Sequence, residues 1–405
     1  MLRSMYSGIS GMKNFQTKLD VIGNNIANVN TFGFKKGRVT FKDTMNQTIS
    51  GASAAQDNRG GKNPMQVGLG STIATIDTIH TGSSLQTTGR SLDLGIDGDG
   101  YFVVKQGDAQ FYTRAGNFYL DDDGNLVNSD GLKVQAYKVD PVTKKPTNIL
   151  DDVSINVNAV MPSKASDSIT FSGNLFGEIG ETFTQQLKLI DSNGNGHNVE
   201  IEFEKTSANE WSVALMSGNS APNIGKINFG GTTPVFSPSS TSWSLDANGD
   251  GTNDFTQADF PAANINVQQM TSTAGELTAL VNPNGNPKGS LESFNIGSLG
   301  EINGVYSNGL IQTLGFIALA KFSNTSGLTK AGNNLFQESI NSGTANINVA
   351  GEGRGSIASG SLEMSNVDLS EEFTEMITAQ RGFQANTRII TTSDEILQEL
   401  VNLKR

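Results

Sequence analysis

The segment LSEEFTEMITAQRGFQANTRIITTSDEILQELVN, Leu369–Asn402, decides the fold. Leu369, Phe373, Met376, Phe383, Ile390, Leu397 and Val401 recur at helical spacings, with Gln380, Thr387 and Asp394 filling the intervening places of the stripe. Such a period predicts one buried face along an α-helix. Polar residues inside a long stripe are typical of helix–helix association, where they set register. Asp368 stands just before the run and Glu371 just inside it, the arrangement of a capping box. A helix of this length would extend about 50 Å.

The opposite end of the chain carries a matching stripe: Leu2, Met5, Ile9, Met12, Leu19, Ile22 and Ile26. No third helical stripe is evident between the two, so an internal helical bundle lacks members. The terminal helices are therefore expected to serve association of the coiled-coil kind, with these apolar residues forming an assembly interface. The expected fold class is mostly β with terminal α-helices, the β domains nested between them.

The β reading rests on local signals. Leu92-Asp93-Leu94-Gly95-Ile96 alternates as a half-buried strand does, and Asp97-Gly98-Asp99-Gly100 is a turn. Asp121-Asp122-Asp123-Gly124-Asn125 reads as a hairpin turn, and Leu314-Gly315-Phe316-Ile317-Ala318-Leu319-Ala320 as a buried strand. Residues 31–70, rich in Gly, Asn, Gln and Ser, read with 351–365 as an irregular linker region. A composition shift over Asp140–Pro146 and a return near Asn286-Pro287 set off a middle segment. The expected layout is a helical domain of 1–30 with 366–405, an outer β domain of 71–145 with 286–350, and an inserted surface β domain of 146–285.

Composition excludes several functions. The net charge of -12 leaves no basic excess to neutralise phosphates, so no nucleic-acid partner is expected. The chain has no cysteine, which removes disulfides, thiolate metal sites and thiol nucleophiles together. No stretch approaches the roughly 20 apolar residues of a membrane helix, so no membrane insertion is expected. The N-terminus MLRSMYSGISGMKNFQ has neither the apolar core nor the small-residue cleavage site of a secretory signal.

Metal and catalytic motifs are sparse. Asp191, Asn193 and Asn195 with Glu202 formally fit a calcium loop, as do Asp246, Asn248 and Asp250. The first is flanked by alternating strand patterns where an EF-hand needs helices, and the second has Gln257 where the bidentate Glu belongs. Both read better as turns, and no metal or cofactor is expected. The two histidines are too few for a His-rich site, and no nucleophile elbow, phosphate loop or zinc-protease motif is present, so no enzyme is expected.

The ends carry a resemblance. Leu19-Asp20-Val21-Ile22-Gly23-Asn24-Asn25-Ile26-Ala27-Asn28-Val29-Asn30-Thr31-Phe32-Gly33-Phe34-Lys35 resembles the N-terminal signature of flagellar rod and hook proteins. Met376-Ile377-Thr378-Ala379-Gln380-Arg381-Gly382-Phe383-Gln384-Ala385-Asn386 resembles their C-terminal one. Asn24, Asn25, Asn28, Gly33, Gln380, Arg381 and Asn386 are the signature positions. Thr88–Leu94 and Tyr112–Phe118 look like the shared β domain of that family.

The resemblance implies a self-assembling subunit of the flagellar hook, a flexible universal joint that carries torque from rod to filament. It implies an inner tube of terminal helices around an export channel, with the inserted domain at the outer surface. It implies a homopolymer whose neighbours are the distal rod protein, the hook cap protein and the hook–filament junction protein. Export through the flagellar apparatus, without a cleaved signal, would bring it to the outside of the cell. Rod proteins share these ends, and the inserted domain is what favours the hook. A rod protein is the alternative within the family. A secreted β-rich calcium-binding adhesin or binding module, using the Asp191 and Asp246 loops, is the alternative outside it.

Overall fold

The computed structural model describes residues 2–54, 59–140, 143–156, 158–217, 221–231, 233–249 and 252–403. Helices α1 (Leu2–Ala27) and α2 (Leu369–Asn402) stand at the two ends of a chain that is otherwise built from short strands. The Cα trace divides into two compact units. The first comprises Met1–Asn156, Asn295–Asn303 and Thr313–Arg405, and the second Val157–Phe294 and Gly304–Gln312. These breaks lie later in the chain than the 145/146 and 285/286 divisions expected from composition.

In the first unit α2 begins where its sequence signal placed it. The Asp368 carboxylate accepts the N–H groups of Ser370 and Glu371 at 2.8 and 3.3 Å, satisfying donors that a helix start leaves free. After α1 the chain forms β1 (Gly37–Asp43), β2 (Asn46–Ser50), β3 (Met65–Gly68) and β4 (Ser71–Thr78). β1 pairs antiparallel with β4, and β2 with β3. The expectation that 31–70 is irregular is corrected here. Its strands are short, and their apolar residues are half-buried or exposed, so no clean alternation marks them. Part of what orders them is α1, with the Phe15 and Phe41 rings 6.1 Å apart and Val21 against Gly37.

The linker reading of 351–365 is corrected in the same way. β5 (Leu85–Thr87) pairs with Ser361–Glu363, and β6 (Leu94–Asp97) with Ser356–Ser359. Partners this remote in sequence give no hairpin signal to read. β7 (Tyr101–Gln106) and β8 (Ala109–Thr113) form a hairpin, and Gly98 and Gly100 supply the positive φ of the turn that enters it. β7 also pairs with Ile311–Lys321 and Lys133–Val139. Tyr101, Phe102, Val103 and Val104 are all buried, so both faces of β7 are covered. On one side Tyr101, Tyr112, Phe322 and Phe336 pack edge to face; on the other Phe102 meets Phe118 at 5.2 Å.

The second unit has a five-stranded antiparallel sheet of strands Thr182–Ile190, Gly196–Ser207, Glu210–Met216, Asn223–Asn228 and Val235–Pro238. A three-stranded sheet is made by Ile265–Thr271, Ile169–Asn174 and Leu280–Pro283. Alternate residues Val199, Ile201 and Phe203 are fully buried, with Trp211, Phe171 and Phe255 in the same core.

Candidate assembly interface

α1 and α2 run in opposite directions along each other. Gly8 lies beside Ile390, Phe15 beside Gly382, the Lys18 ammonium 3.1 Å from Glu375, and Asn25 3.1 Å from Glu372. Glycines set how closely the helices approach. A Cβ on Gly11 would stand 2.9 Å from the Asn386 side chain, and one on Gly382 would stand 2.7 Å from the Phe15 ring.

Ile22 is buried, and Met5, Ile9, Met12, Leu19 and Ile26 are half-buried. On α2, Met376, Phe383, Ile390 and Leu397 are half-buried, while Leu369, Phe373 and Val401 are 40, 49 and 69 % exposed. The remaining covered places belong to Glu372, Ala379, Asn386 and Ser393, one residue before the expected Phe373, Gln380, Thr387 and Asp394. That part of the stripe is corrected within the chain. Ala379 and Ser393 are buried at the crossing, whereas Phe373 turns outward. With Ile377, Ile389 and Ile396 also exposed, α2 presents apolar residues that its own chain leaves uncovered.

The signature asparagines hold the junction behind the helices. Asn25 Nδ2 donates to the Gly37 carbonyl and its Oδ1 accepts the Gly37 N–H, both at 2.9 Å, while Nδ2 also reaches Glu372 Oε2. Burial pushes the Glu372 carboxyl above its ordinary range, against the Asn25 hydrogen bond and the nearby Lys36. Asn28 Nδ2 donates to the Asn24 carbonyl and closes the end of α1. Gly33 has φ +70°, and a Cβ there would lie 2.6 Å from the backbone of Arg114 and Ala115, so the signature needs glycine. Asn386 Nδ2 donates to the Gly382 carbonyl, and Gln380 and Arg381 are exposed.

Sequence reasoning missed the charged residues just beyond. Lys35, Arg114 and Glu363 are buried together: Glu363 Oε1 accepts from Lys35 Nζ at 2.7 Å and from the Ser83 N–H at 3.1 Å, and Oε2 accepts from Arg114 at 3.1 Å. A lysine directly after the Phe-Gly-Phe of the signature was the available signal.

The calcium-loop look-alikes are turns. Asp191 Oδ1 accepts the N–H groups of Asn193 and Asn195 at 2.9 and 2.7 Å, between two strands and not two helices. Asp246 accepts the Gly249 N–H, Asn248 lies in the same loop, and Asp250 is outside the described residues. No signal in either loop announced that Asp191, His197 and Asp254 would converge.

Residues 5–35 match the family model of the flagella basal body rod protein, and residues 358–403 that of the flagellar basal body rod FlgEFG protein C-terminal. Residues 95–175 match the model of the flagellar hook protein FlgE/F/G D1 domain. The flagellar hook protein FlgE of Borreliella burgdorferi is 40% identical over 441 residues, an alignment that spans 100% of both chains. The chain belongs to the flagellar hook protein family.

A rod protein matches this chain over the same length. The flagellar basal-body rod protein FlgG of Bacillus subtilis is 42% identical over 407 residues, again 100% of both chains. The inserted segment therefore does not by itself separate hook from rod. The crystal structure of the Helicobacter pylori flagellar hook protein FlgE2 shares the fold, with a TM-score of 0.52 at 14% identity over 69% of this chain and 100% of that one. Among the described residues no helix is long and apolar enough to cross a membrane.

Proposed function

We propose that the chain is a structural subunit of the bacterial flagellar hook, polymerising into the flexible tube that transmits torque from rod to filament. The observation that carries this reading is the 40% identity to a hook protein over the full length, combined with the exposed apolar residues of α2. A helix that packs one face on α1 and leaves Phe373, Ile377, Ile389 and Ile396 outside needs a second surface to cover them. In a homopolymer that surface is another copy of the chain. Polymerisation buries what the single subunit exposes, and each half-exposed side chain so covered contributes about half of the roughly 1.5–3 kcal/mol of a full burial.

In this reading α1 and α2 form a coiled-coil inner domain around an axial export channel, with Asn25, Gly33 and the Lys35–Glu363 pair fixing the angle at which the chain leaves it. The β region of 71–145 with 286–350 lies outside, and 146–285 forms the outer surface. The distal rod protein, hook cap protein and hook–filament junction protein are its neighbours. The subunit leaves the cell through the flagellar export apparatus without a cleaved signal.

Deleting residues 1–30 or 369–405 tests the reading. Full-length protein examined by electron microscopy should give short curved tubes, and both truncations should remain folded β-rich monomers. Straight rods from the full-length chain would favour a rod protein, and normal polymers from either truncation would sink the terminal-assembly reading.

A further inference from the structure

We propose that Asp191, His197 and Asp254 form a site for a single divalent transition-metal ion of the Zn2+ type. The three residues come from separate places: Asp191 opens the turn after strand Thr182–Ile190, His197 is the second residue of the following strand, and Asp254 closes the loop that Asp246 begins. The fold of the second unit gathers them. His197 Nε2 is 3.2 Å from Asp191 Oδ2 and 3.8 Å from Asp254 Oδ1, and all three donor atoms lie within 4.8 Å of one another. A tetrahedral ion with bonds of about 2.0–2.2 Å sets its ligand atoms about 3.3–3.6 Å apart, so the donors need little movement to close on one.

The carboxylates are held as metal ligands are held. Asp191 turns its other oxygen, Oδ1, to the N–H groups of Asn193 and Asn195, and Asp254 turns Oδ2 to the Ala247 N–H at 2.8 Å. Asn195 Nδ2 steadies Asp191 Oδ2 at 3.2 Å. Phe255 stands edge-on to the His197 ring at 5.7 Å and fixes its plane. Such support aims the remaining oxygens at the imidazole nitrogen and limits their freedom to turn away.

Asp254 Oδ1 stands 3.8 Å from His197 Nε2, and its side chain is only 10 % exposed. Two carboxylates with a neutral imidazole match the charge of a divalent cation. The donor set also selects the ion. One nitrogen and two carboxylate oxygens suit Zn2+, Ni2+ or Co2+, whereas Ca2+ takes six or more oxygens. The Asp191 and Asp246 turns are thus not two calcium loops but two walls of one transition-metal site, with His197 between them. The ion would pin the Asp191 hairpin to the Asp246 loop.

Untagged full-length protein, stripped with a chelator and titrated with Zn2+ in a calorimeter, tests this. One equivalent should bind, and it should raise the midpoint of thermal unfolding. Asp254→Asn keeps an acceptor for the Ala247 N–H, and His197→Gln keeps a polar side chain. Each should weaken binding by about tenfold or more, as losses around metal sites do. Absence of saturable one-to-one binding in the unaltered protein overturns the proposal, as does equal binding in both variants. Should a variant fail to fold, the unaltered protein still decides: its affinity must fall as pH drops toward about 5, where a histidine ligand protonates, and a flat profile overturns the site.

Discussion

Lys35 Nζ and Glu363 Oε1 are 2.7 Å apart with both side chains wholly buried, joining the segment after α1 to the strand that leads to α2. Burial pushes the Lys35 ammonium below the usual lysine range even beside this carboxylate. Arg114 takes the other oxygen, so one carboxylate holds two cations. Removing the shared partner strands both. Glu363→Gln should therefore cost about 3–5 kcal/mol, the range for breaking a buried pair. Lys35→Met leaves Glu363 with Arg114 and the Ser83 N–H and should cost less. Denaturant midpoints of the two variants check this ordering, and a Lys35→Met loss as large as that of Glu363→Gln would contradict it.

His80 predicts a pH dependence. Burial, with Lys35, Lys330 and Arg114 nearby, lowers its pKa from 6.5 to about 4. Its Nδ1 is 2.7 Å from the Tyr101 hydroxyl. Between pH 4 and 6.5 the unfolded chain binds the proton that the folded chain refuses, so this contribution to stability is intact above 6.5 and is lost as pH falls toward 4. It amounts to about 3 kcal/mol at most. His80→Gln should flatten the stability profile across this window, measured by thermal unfolding at a series of pH values. An unchanged slope would mean that His80 is protonated in the folded chain.

Glu372 predicts the opposite sign. Its carboxyl is pushed up by burial, so the folded state holds its proton to higher pH than the unfolded state does. The contribution is full in acid and is lost as pH rises through the raised value. Glu372→Gln keeps an acceptor for Asn25 and removes a buried charge. It should stabilise the helix pair at neutral pH and make no difference in acid. Circular dichroism melts at both ends of the range check the crossover.

What could be read in the sequence was what depends on neighbours in the chain. The Asp368 cap, the Gly98 and Gly100 turn and the buried run Ile317–Ala320 are all local, and their residue types specify them. The α2 face that meets α1 was not legible, because half of it is Glu372, Ala379, Asn386 and Ser393. Hydrophobicity ranks such residues as outward-facing, whereas close approach between helices suits the small Ala379 and Ser393, and hydrogen bonds hold Glu372 and Asn386. β1 to β4 were missed because much of their order comes from α1. The Asp191, His197 and Asp254 cluster was missed because only the tertiary fold brings one loop to the other.

Phe373 separates folding from assembly. Its ring is 49 % exposed and lies off the α1 contact, on the side of α2 shared with Leu369 and Ile377. Surface substitutions away from special features change stability by about 0.5 kcal/mol or less. Phe373→Ser should therefore leave the unfolding midpoint of the isolated subunit almost unmoved. If the half-exposed ring is covered by a second copy in the polymer, its loss removes about half of the roughly 1.5–3 kcal/mol of a full burial per contact. The critical concentration for polymerisation, read by sedimentation, should then rise severalfold, up to about tenfold, since 1.4 kcal/mol is a factor of ten. Ala379→Leu is the counterpart, because Ala379 is 1 % exposed on the face toward α1. Overpacking there should cost about 1–3 kcal/mol in the subunit itself. Should Phe373→Ser lower subunit stability and leave the critical concentration alone, the outward face of α2 would not be the surface through which copies of this chain meet.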